Sequence, residues 1–358
     1  MEKKWETVKN QLKTAILSGE YKIDDKLPTE TELIDQFDVS RYTIRRAVGE
    51  LEDEHFVYRI QGGGMFVQDW HKDWTPEKDR KIIGIITTHI ADYIFPDIIS
   101  GIDRVISDEG YSLLISNTHN THAKERKSLL SMLDLHVAAL IIEPTQSAMA
   151  NTNMDLYHEI LANKIPVLFI NAIYPELKCP SVTVDDKHAE KKMMEFLFSL
   201  GHESTLGIFQ VDDLQGICRM NGFVEAYQNH PNIAYKSNLI MYQSQDSMAT
   251  VMKKIDGYLQ LADHPTAIAC YNDQLAINVI DYLKKRQINV PEEVSVVGFD
   301  NYQMSRYINP SITTMDHGRD KMGEDAGKLI LEMLRHQEVT SIAYDAPLIQ
   351  RESAIAPK

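Results

Sequence analysis

Short apolar runs alternate with longer amphipathic segments across residues 81–301, and this alternation constrains the fold more than any other feature of the sequence. The runs are rich in Val and Ile and lack alternating polar residues, which is typical of strands buried on both faces of a parallel sheet. The amphipathic segments predict helices that connect one strand to the next. The chain is therefore expected to adopt an α/β architecture. The runs read KIIGIITT, YSLLIS, VAALII, IPVLFI, SVTVD, TLGIFQ, NLIMY, TAIACY and VSVVGFD.

These strands are too numerous for one compact sheet. A polar stretch at residues 171–180, NAIYPELKCP, interrupts the series and separates the runs into two groups. We therefore expect two lobes, each built on a doubly wound parallel sheet, with the boundary at this polar stretch.

The first 70 residues have a different sequence pattern, which predicts three helices and a hairpin. A first amphipathic helix is predicted over residues 7–19. Thr29 and Glu32 form a capping box that starts a second helix, and Ser40 can cap a third. The third helix buries a stripe at helical spacing that consists of Ile44, Ala47, Val48 and Leu51. Two short helices joined by a tight turn predict a helix-turn-helix.

A glycine-rich hairpin follows the helices. Residues 56–60 and 65–67 flank Gln61-Gly62-Gly63-Gly64, and glycines at a hairpin tip let backbone amides approach a phosphate or the floor of a groove. On the third helix Arg41, Arg45 and Arg46 lie outside the apolar stripe, where an arginine fork can contact guanine or phosphate. The alternative is an ordinary turn and a solvated helix face. Taken together, the pattern predicts a winged helix-turn-helix.

The charged stretch at residues 69–80 lacks apolar periodicity, which is typical of a linker. We therefore divide the chain into a winged helix-turn-helix domain at residues 1–70, a linker at 71–80, and a two-lobed domain at 81–358.

Polar residues end almost every apolar run. In open parallel sheets ligands bind beyond the carboxyl ends of the strands, so these residues are candidates for a binding site. Carboxylates and amides suit a ligand rich in hydroxyl groups, and a sugar is the natural candidate. The alternative is that each residue only caps the following helix. The run-ending residues are Thr87, Thr88, Glu143, Asn171, Asp185, Asp186, Asn272, Asp273, Asp300 and Asn301.

Composition narrows the function further. The net charge of -15 means that the overall electrostatics of the chain disfavours a polyanionic partner. DNA binding must therefore depend on the local placement of arginines. The three cysteines have no metal-ligand spacing, and we expect no metal and no cofactor. The sequence shows neither a membrane-spanning run nor a signal peptide, which predicts a cytoplasmic protein without a membrane partner.

Enzymes are the main competing class. The sequence contains no phosphate-binding loop, dinucleotide fingerprint, nucleophile elbow or zinc-protease helix, so no catalytic residue is assigned. Paired carboxylates in a cleft could still hydrolyse a glycoside, and turnover of aryl-pentosides would reveal that. A plain sugar-binding protein is the other alternative, which a gel shift with promoter DNA would separate.

The segments LPTETEL, VSRYTIRRAVGEL and QGGGMFV closely resemble the winged helix-turn-helix of GntR-type bacterial regulators. The resemblance covers about residues 5–68. It implies DNA contact for Glu30, Arg41, Thr43, Arg45, Gln61 and Gly62, and Arg46 is a further candidate for a phosphate contact. Regulators of fatty-acid metabolism in this family often carry a basic residue at the position of Thr31, so no base contact is assigned there.

Residues 81–353 resemble the effector-binding core of LacI/GalR-type repressors, which is similar to periplasmic sugar-binding proteins. The matching segments are RMNGF at 219–223, NDQLA at 272–276 and PEEVSVVGFD at 291–300. The resemblance implies that Arg219, Asn272 and Asp300 bind sugar hydroxyls, and Asp186 lies where the family has another polar contact.

The two families are joined here in one chain, and the LacI-type DNA headpiece is absent. This combination resembles bacterial sugar repressors that unite both families. It implies a repressor that binds operator DNA as a homodimer, controls carbohydrate-utilisation genes and is released by a small sugar, with L-arabinose as the implied effector. Tyr93, Phe95 and Glu143 are further candidate pocket residues.

Overall fold

The computed structural model describes residues 4–60, 63–69, 81–90 and 93–358. The chain divides into two compact units, Met1–Arg80 with Asn153–Ile165, and Lys81–Thr152 with Pro166–Lys358. The linker expected at 71–80 and the wing-tip residues Gln61 and Gly62 lie outside the described residues.

The described part of the chain contains α-helices and strands in the following order, with short 3₁₀ helices at Ala234–Lys236 and Gln303–Arg306. The helices are α1 (Lys4–Leu17), α2 (Glu30–Phe37), α3 (Arg41–Asp53), α4 (Phe95–Ser107), α5 (His122–Asp134), α6 (Met154–Ala162), α7 (Asp186–Ser199), α8 (Leu214–Gln228), α9 (Met248–Leu259), α10 (Asp273–Lys285) and α11 (Arg319–Leu334). The strands are β1 (Val57–Ile60), β2 (Gly64–Val67), β3 (Ile82–Thr87), β4 (Ser112–Asn117), β5 (Ala139–Ile142), β6 (Val167–Ile170), β7 (Ser181–Val184), β8 (Thr205–Gln210), β9 (Ser237–Tyr242), β10 (Ala267–Cys270), β11 (Ser295–Val297), β12 (Thr314–Met315), β13 (Ile342–Tyr344) and β14 (Leu348–Ile349).

Helices α2 and α3 of the first unit begin where the capping residues predict. The Thr29 amide donates to Glu32 Oε2 at 2.7 Å, and the Glu32 amide donates to Thr29 Oγ1 at 3.3 Å. Ser40 Oγ accepts from the Thr43 amide at 3.2 Å at the start of α3. The stripe predicted on α3 is fully buried. It packs with apolar residues of α1, α2 and the β1–β2 hairpin, so the winged helix-turn-helix prediction is confirmed.

The second unit contains two parallel sheets. Among the described strands, six form one sheet in the order β13-β7-β6-β5-β3-β4, and four form the other in the order β11-β10-β8-β9. Every pairing in both sheets is parallel. We call the six-stranded sheet, with the helices that cover it, the first lobe. The four-stranded sheet and its helices form the second lobe. The α/β expectation with two doubly wound sheets is confirmed.

The boundary between the lobes differs from the predicted one. Ser181–Val184 follows the polar stretch at 171–180, yet it pairs with β6 and belongs to the first lobe. The stretch is a loop between neighbouring strands, and its Tyr174 is buried while its hydroxyl donates to Glu125 and to the Thr145 carbonyl. The chain passes to the second lobe only after β7, through α7.

The sequence also gave no indication that the chain returns to the first lobe. After β12, helix α11 leads to β13, which joins the first sheet beside β7. Helices α4 and α11 pack closely at Gly101 and Gly323, where a Cβ on Gly323 would lie 2.3 Å from the Ile98 carbonyl. Only glycine fits at that distance, so these two positions fix the return of the chain onto the first sheet.

Candidate DNA-reading helix and effector cavity

Helix α3 presents arginines on its exposed face. Arg41 lies in the first turn and is exposed. The Arg45 side chain is 62% exposed, and its Nε donates to Glu30 Oε2 at 3.0 Å. Thr43 is half-buried, with its hydroxyl 2.9 Å from Ser40 Oγ. Glu30 thus orients Arg45, and the helix offers guanidinium groups at the end where recognition helices contact base edges.

Arg46 has a different environment. Its guanidinium lies 4.4 Å from the centroid of the Trp5 ring, in a cation-π contact with helix α1. This stacking uses one face of the guanidinium and connects α3 to α1. Arg46 therefore has a structural partner that Arg41 and Arg45 do not share.

A cavity of about 420 Å³ lies between the two lobes, at the carboxyl ends of their strands. Residues from both lobes line it, and its walls mix aromatic rings with carboxylates and amides. The sequence-predicted effector residues that line the cavity are Tyr93, Phe95, Glu143, Arg219, Asn272 and Asp300. This mixture of ring faces and directional polar groups is suited to a ligand with an apolar face and several hydroxyls.

Arg219 is the charged centre of the cavity. It is 3% exposed and extends from α8, with its guanidinium 3.6 Å from the centroid of the Phe299 ring. Nε donates to Asp186 Oδ1 at 2.8 Å, and Nη2 donates to Asp300 Oδ1 at 3.1 Å. Nη1 donates to the Tyr271 carbonyl at 2.7 Å. A buried charge needs such partners, and together they fix the guanidinium in one orientation.

Asp186 does not line the cavity. It lies behind Arg219 and is buried, and burial raises the pKa of its carboxyl to about 6 despite the neighbouring guanidinium. Its carboxylate accepts from Arg219 Nε and helps to hold the guanidinium in place. A direct contact between Asp186 and the effector stays a prediction.

Glu143 lies at the end of β5 and has partners on both oxygens. The amide and the hydroxyl of Thr88 donate to Oε2 at 2.8 and 2.6 Å, and Asn171 Nδ2 donates to Oε1 at 3.0 Å. Burial raises the pKa of Glu143, and the three hydrogen bonds oppose that rise. Strands β3, β5 and β6 thus contribute one polar cluster at their carboxyl ends.

Tyr93 connects the two lobes. It follows β3 of the first lobe, and its hydroxyl donates to Asp300 Oδ2 at 2.5 Å in the second lobe. The Asp273 amide donates back to the Tyr93 hydroxyl at 3.3 Å. Burial, together with the carboxylates of Asp300 and Asp273, raises the pKa of Tyr93 well above its usual value. The hydroxyl therefore remains a donor.

Asn272 caps a helix and also lies at the cavity, so the two alternatives of the sequence analysis are compatible at this residue. Its Oδ1 accepts from the Leu275 amide at 2.9 Å and caps α10, while the residue also lines the cavity.

Sequence reasoning missed several cavity residues, among them Asp213, Tyr271 and His317. Asp213 caps α8 through the Gly216 amide and accepts from the Tyr271 hydroxyl at 2.7 Å. Burial raises the pKa of Asp213 to about 7, and burial lowers the pKa of His317 to about 4. Asp213 could have been found, because it closely follows the apolar run TLGIFQ. His317 follows a strand of only two residues and gives no such signal.

Within the described ranges, no cluster of three or more His, Cys, Asp or Glu side chains could hold a metal ion. None of the helices in those ranges is both long and apolar enough to cross a membrane.

Comparison with known proteins identifies the family. Residues 4–67 match the gntR family of bacterial regulatory proteins, and residues 194–354 match a periplasmic binding protein-like domain. The chain is 37% identical over 355 residues to the arabinose metabolism transcriptional repressor of Geobacillus stearothermophilus, which covers 98% of this chain and 97% of that one. The corresponding repressor of Halalkalibacterium halodurans is 36% identical over 368 residues, covering 100% of this chain and 98% of that one. This chain belongs to the arabinose metabolism transcriptional repressor family.

Members of this family are transcriptional repressors, not enzymes, and this chain is accordingly a sugar-responsive repressor. The GntR-type unit binds DNA, and the periplasmic binding protein-like domain binds the sugar effector.

Solved structures confirm the fold of the core. The transcription regulator CcpA of Lactococcus lactis aligns with a TM-score of 0.68 at 20% identity, over 76% of this chain and 98% of that chain. A LacI-type regulator from Alkaliphilus metalliredigens, solved with D-xylulofuranose, aligns with a TM-score of 0.65 at 23% identity, over 77% of this chain and 99% of that chain.

Proposed function

We propose that this repressor binds L-arabinose in the cavity between the lobes, and that the sugar releases it from operator DNA in the cytoplasm. Residues 1–70 form the DNA-binding domain, 71–80 the linker, and 81–358 the effector-binding and dimerisation domain. The repressor acts as a homodimer on genes for carbohydrate utilisation.

The observation that carries the effector proposal is the Arg219 cluster. A buried guanidinium fixed between Asp186 and Asp300 can offer hydrogen bonds in a constant direction, and Asp300 can accept from sugar hydroxyls. Glu143, Asn272, Tyr93 and Phe95 supply the other polar and ring contacts. A site of this kind discriminates strongly against analogues that lack a hydroxyl, because its buried groups would then lose their partners.

On the DNA side, Arg41, Thr43 and Arg45 contact base edges, and Glu30 positions Arg45. Arg46 contacts a phosphate, and Gln61 and Gly62 contact DNA from the wing. The exposure of Arg41 and Arg45 supports this assignment. One small module makes few base contacts, so pairing two modules by twofold symmetry gives a tight and specific operator complex.

Calorimetry with a sugar panel tests the effector. We expect L-arabinose to bind with higher affinity than D-arabinose, D-xylose or D-ribose, since these pentoses place their hydroxyls in different directions. Equal affinity for all of them, or no binding of L-arabinose, would reject L-arabinose as the effector.

Operator titrations with and without sugar test the response. A ligand shifts an equilibrium only through its differential affinity, so L-arabinose must weaken operator binding by the same factor by which operator weakens sugar binding. Equal operator affinity at zero and saturating L-arabinose would contradict induction by this sugar. A monomer in sedimentation at micromolar concentration would contradict the dimer.

A further inference from the structure

We propose that Ser147 fastens the two lobes together beside the cavity and so controls how long the effector stays bound. This inference rests on the proposed function in that the retained ligand is the sugar effector. Ser147 lies in the loop after β5 in the first lobe and is buried, but it does not line the cavity. It is therefore a positioning residue, and its effect is on closure of the cleft.

The loop that carries Ser147 is firmly held on the first lobe. The Thr145 carbonyl accepts from the Tyr174 hydroxyl at 2.8 Å, and the Thr145 hydroxyl bonds Thr118 Oγ1 at 2.9 Å. The Gln146 amide donates to Asn120 Oδ1 at 2.8 Å. These anchors come from the loops after β4 and β6, so the position of the Ser147 hydroxyl is set before it meets the second lobe.

The partner of Ser147 lies at the start of α8 in the second lobe. The first amides of a helix have no acceptor within the helix and need one from elsewhere. Asp213 Oδ1 accepts from the Gly216 amide at 2.7 Å, and Ser147 Oγ accepts from the Leu214 amide at 2.8 Å. Helix α8 is thus capped partly from its own lobe and partly from the opposite lobe.

A second hydrogen bond runs alongside the first. The Ala148 amide donates to the Asp212 carbonyl at 3.3 Å, and the Asp212 carboxylate accepts from the Ser244 amide at 3.0 Å within the second lobe. The loop that carries Ser147 is therefore held by the first lobe, and Asp212 is held by the second. The two hydrogen bonds that join the lobes here form only while the lobes are this close together. Helix α8 also carries Arg219, so the fastening connects lobe closure to the charged centre of the cavity.

Hydrogen exchange of the sugar-free, full-length protein tests the fastening directly. In Ser147→Ala the Leu214 amide loses its acceptor, and its exchange should become about five-fold faster. Ser147→Thr retains the hydroxyl and should restore slow exchange. Ser237→Ala is the matched control, because its hydroxyl donates to the Ala234 carbonyl within the second lobe. An unchanged Leu214 exchange rate in Ser147→Ala would overturn the proposal.

Dissociation kinetics supply the functional readout. With L-arabinose as the probe, Ser147→Ala should release the sugar about five-fold faster while the association rate changes little, and Ser147→Thr should resemble the parent. A merely structural defect would instead lower the melting temperature and leave the ratio of the two rate constants unchanged, and that result counts against the proposal. If the parent fails to bind L-arabinose, the effector proposal fails, and the exchange experiment still decides the function of Ser147.

Discussion

The DNA-reading helix and the effector cavity are built by different means. In the first unit the proposed DNA-contacting residues of the two helices span only Glu30 to Arg46, and their positions follow from caps and an apolar stripe encoded nearby. The cavity gathers residues from Thr88 to His317, held by buried ion pairs across two sheets. Local sequence therefore specifies the first site, and the tertiary fold specifies the second. The effects of substitutions should therefore differ between the two sites.

The largest effect is expected from Asp300→Ala. Removal of this carboxylate takes away the acceptor of Arg219 Nη2 and the nearest acceptor of the Tyr93 hydroxyl in a buried site. The proposed hydrogen bonds from sugar hydroxyls to this charged group are also lost, which should cost about 2–3 kcal/mol of binding, or about 30- to 150-fold in sugar affinity measured by calorimetry. Operator binding by the sugar-free protein should persist.

Asp281→Ala is the matched control, since that carboxylate forms an exposed pair with Lys285 away from the cavity. Undiminished sugar affinity in Asp300→Ala would remove Asp300 from the site.

A smaller effect is expected from a buried carboxyl that does not line the cavity. Glu190 is 1% exposed on α7, where α7 packs against α8 at Gly222. Burial raises the pKa of Glu190 from 4.5 to about 8, and Asp186 adds to the rise while Arg219 opposes it. Between pH 4.5 and 8 the folded protein therefore holds a proton that the unfolded chain releases, and stability falls as the pH rises through this window.

Glu190→Gln removes this titration. Compared with the parent, the variant should gain on the order of 2 kcal/mol in unfolding free energy at pH 8 relative to pH 5. Urea denaturation followed by circular dichroism at both pH values measures the difference, with the exposed Glu176→Gln as control. Identical pH profiles for parent and variant would show that Glu190 does not contribute.

The recognition helix should respond only on the DNA side. Arg41→Ala should cost about 2 kcal/mol on the specific operator and much less on scrambled DNA, since a bidentate base contact is worth roughly 1–3 kcal/mol. Arg46→Ala should lower affinity for both DNAs alike and flatten the salt dependence, as loss of a phosphate contact does. Gel shifts at several salt concentrations separate the two patterns. Sugar affinity should not change in either variant. If Arg41→Ala loses the same affinity for the operator as for scrambled DNA, Arg41 does not contact bases.

What the sequence could predict follows the same division. Thr29, Glu32 and Ser40 act on neighbours within three positions, so their caps were predictable. Strand ends converge by the geometry of parallel sheets, which is why the strand-end pattern predicted that Glu143, Asn272 and Asp300 lie together, whereas Arg219 lies within α8 and was indicated only by the resemblance. The lobe boundary was wrong because polarity at 171–180 marks a loop and carries no information on which sheet the next strand joins. The location of Asp186 behind Arg219 depends on the packing of α7 against α8, which no local pattern encodes.

The smallest effect tests the local side of the comparison alone. Ser40→Ala removes the hydroxyl that accepts from the Thr43 amide at the start of α3, and loss of such a cap costs about 1 kcal/mol. All three tryptophans lie within the first 80 residues, so their fluorescence during urea denaturation reports on the N-terminal part of the chain and not on the lobes. We expect the fluorescence midpoint to fall in Ser40→Ala, with a modest loss of operator affinity and unchanged sugar binding. Ser18→Ala is the control, because the Ser18 hydroxyl donates only to the Ala15 carbonyl after α1. A shift of the same size in Ser18→Ala, or a change in sugar affinity in Ser40→Ala, would show that the first unit is not specified locally.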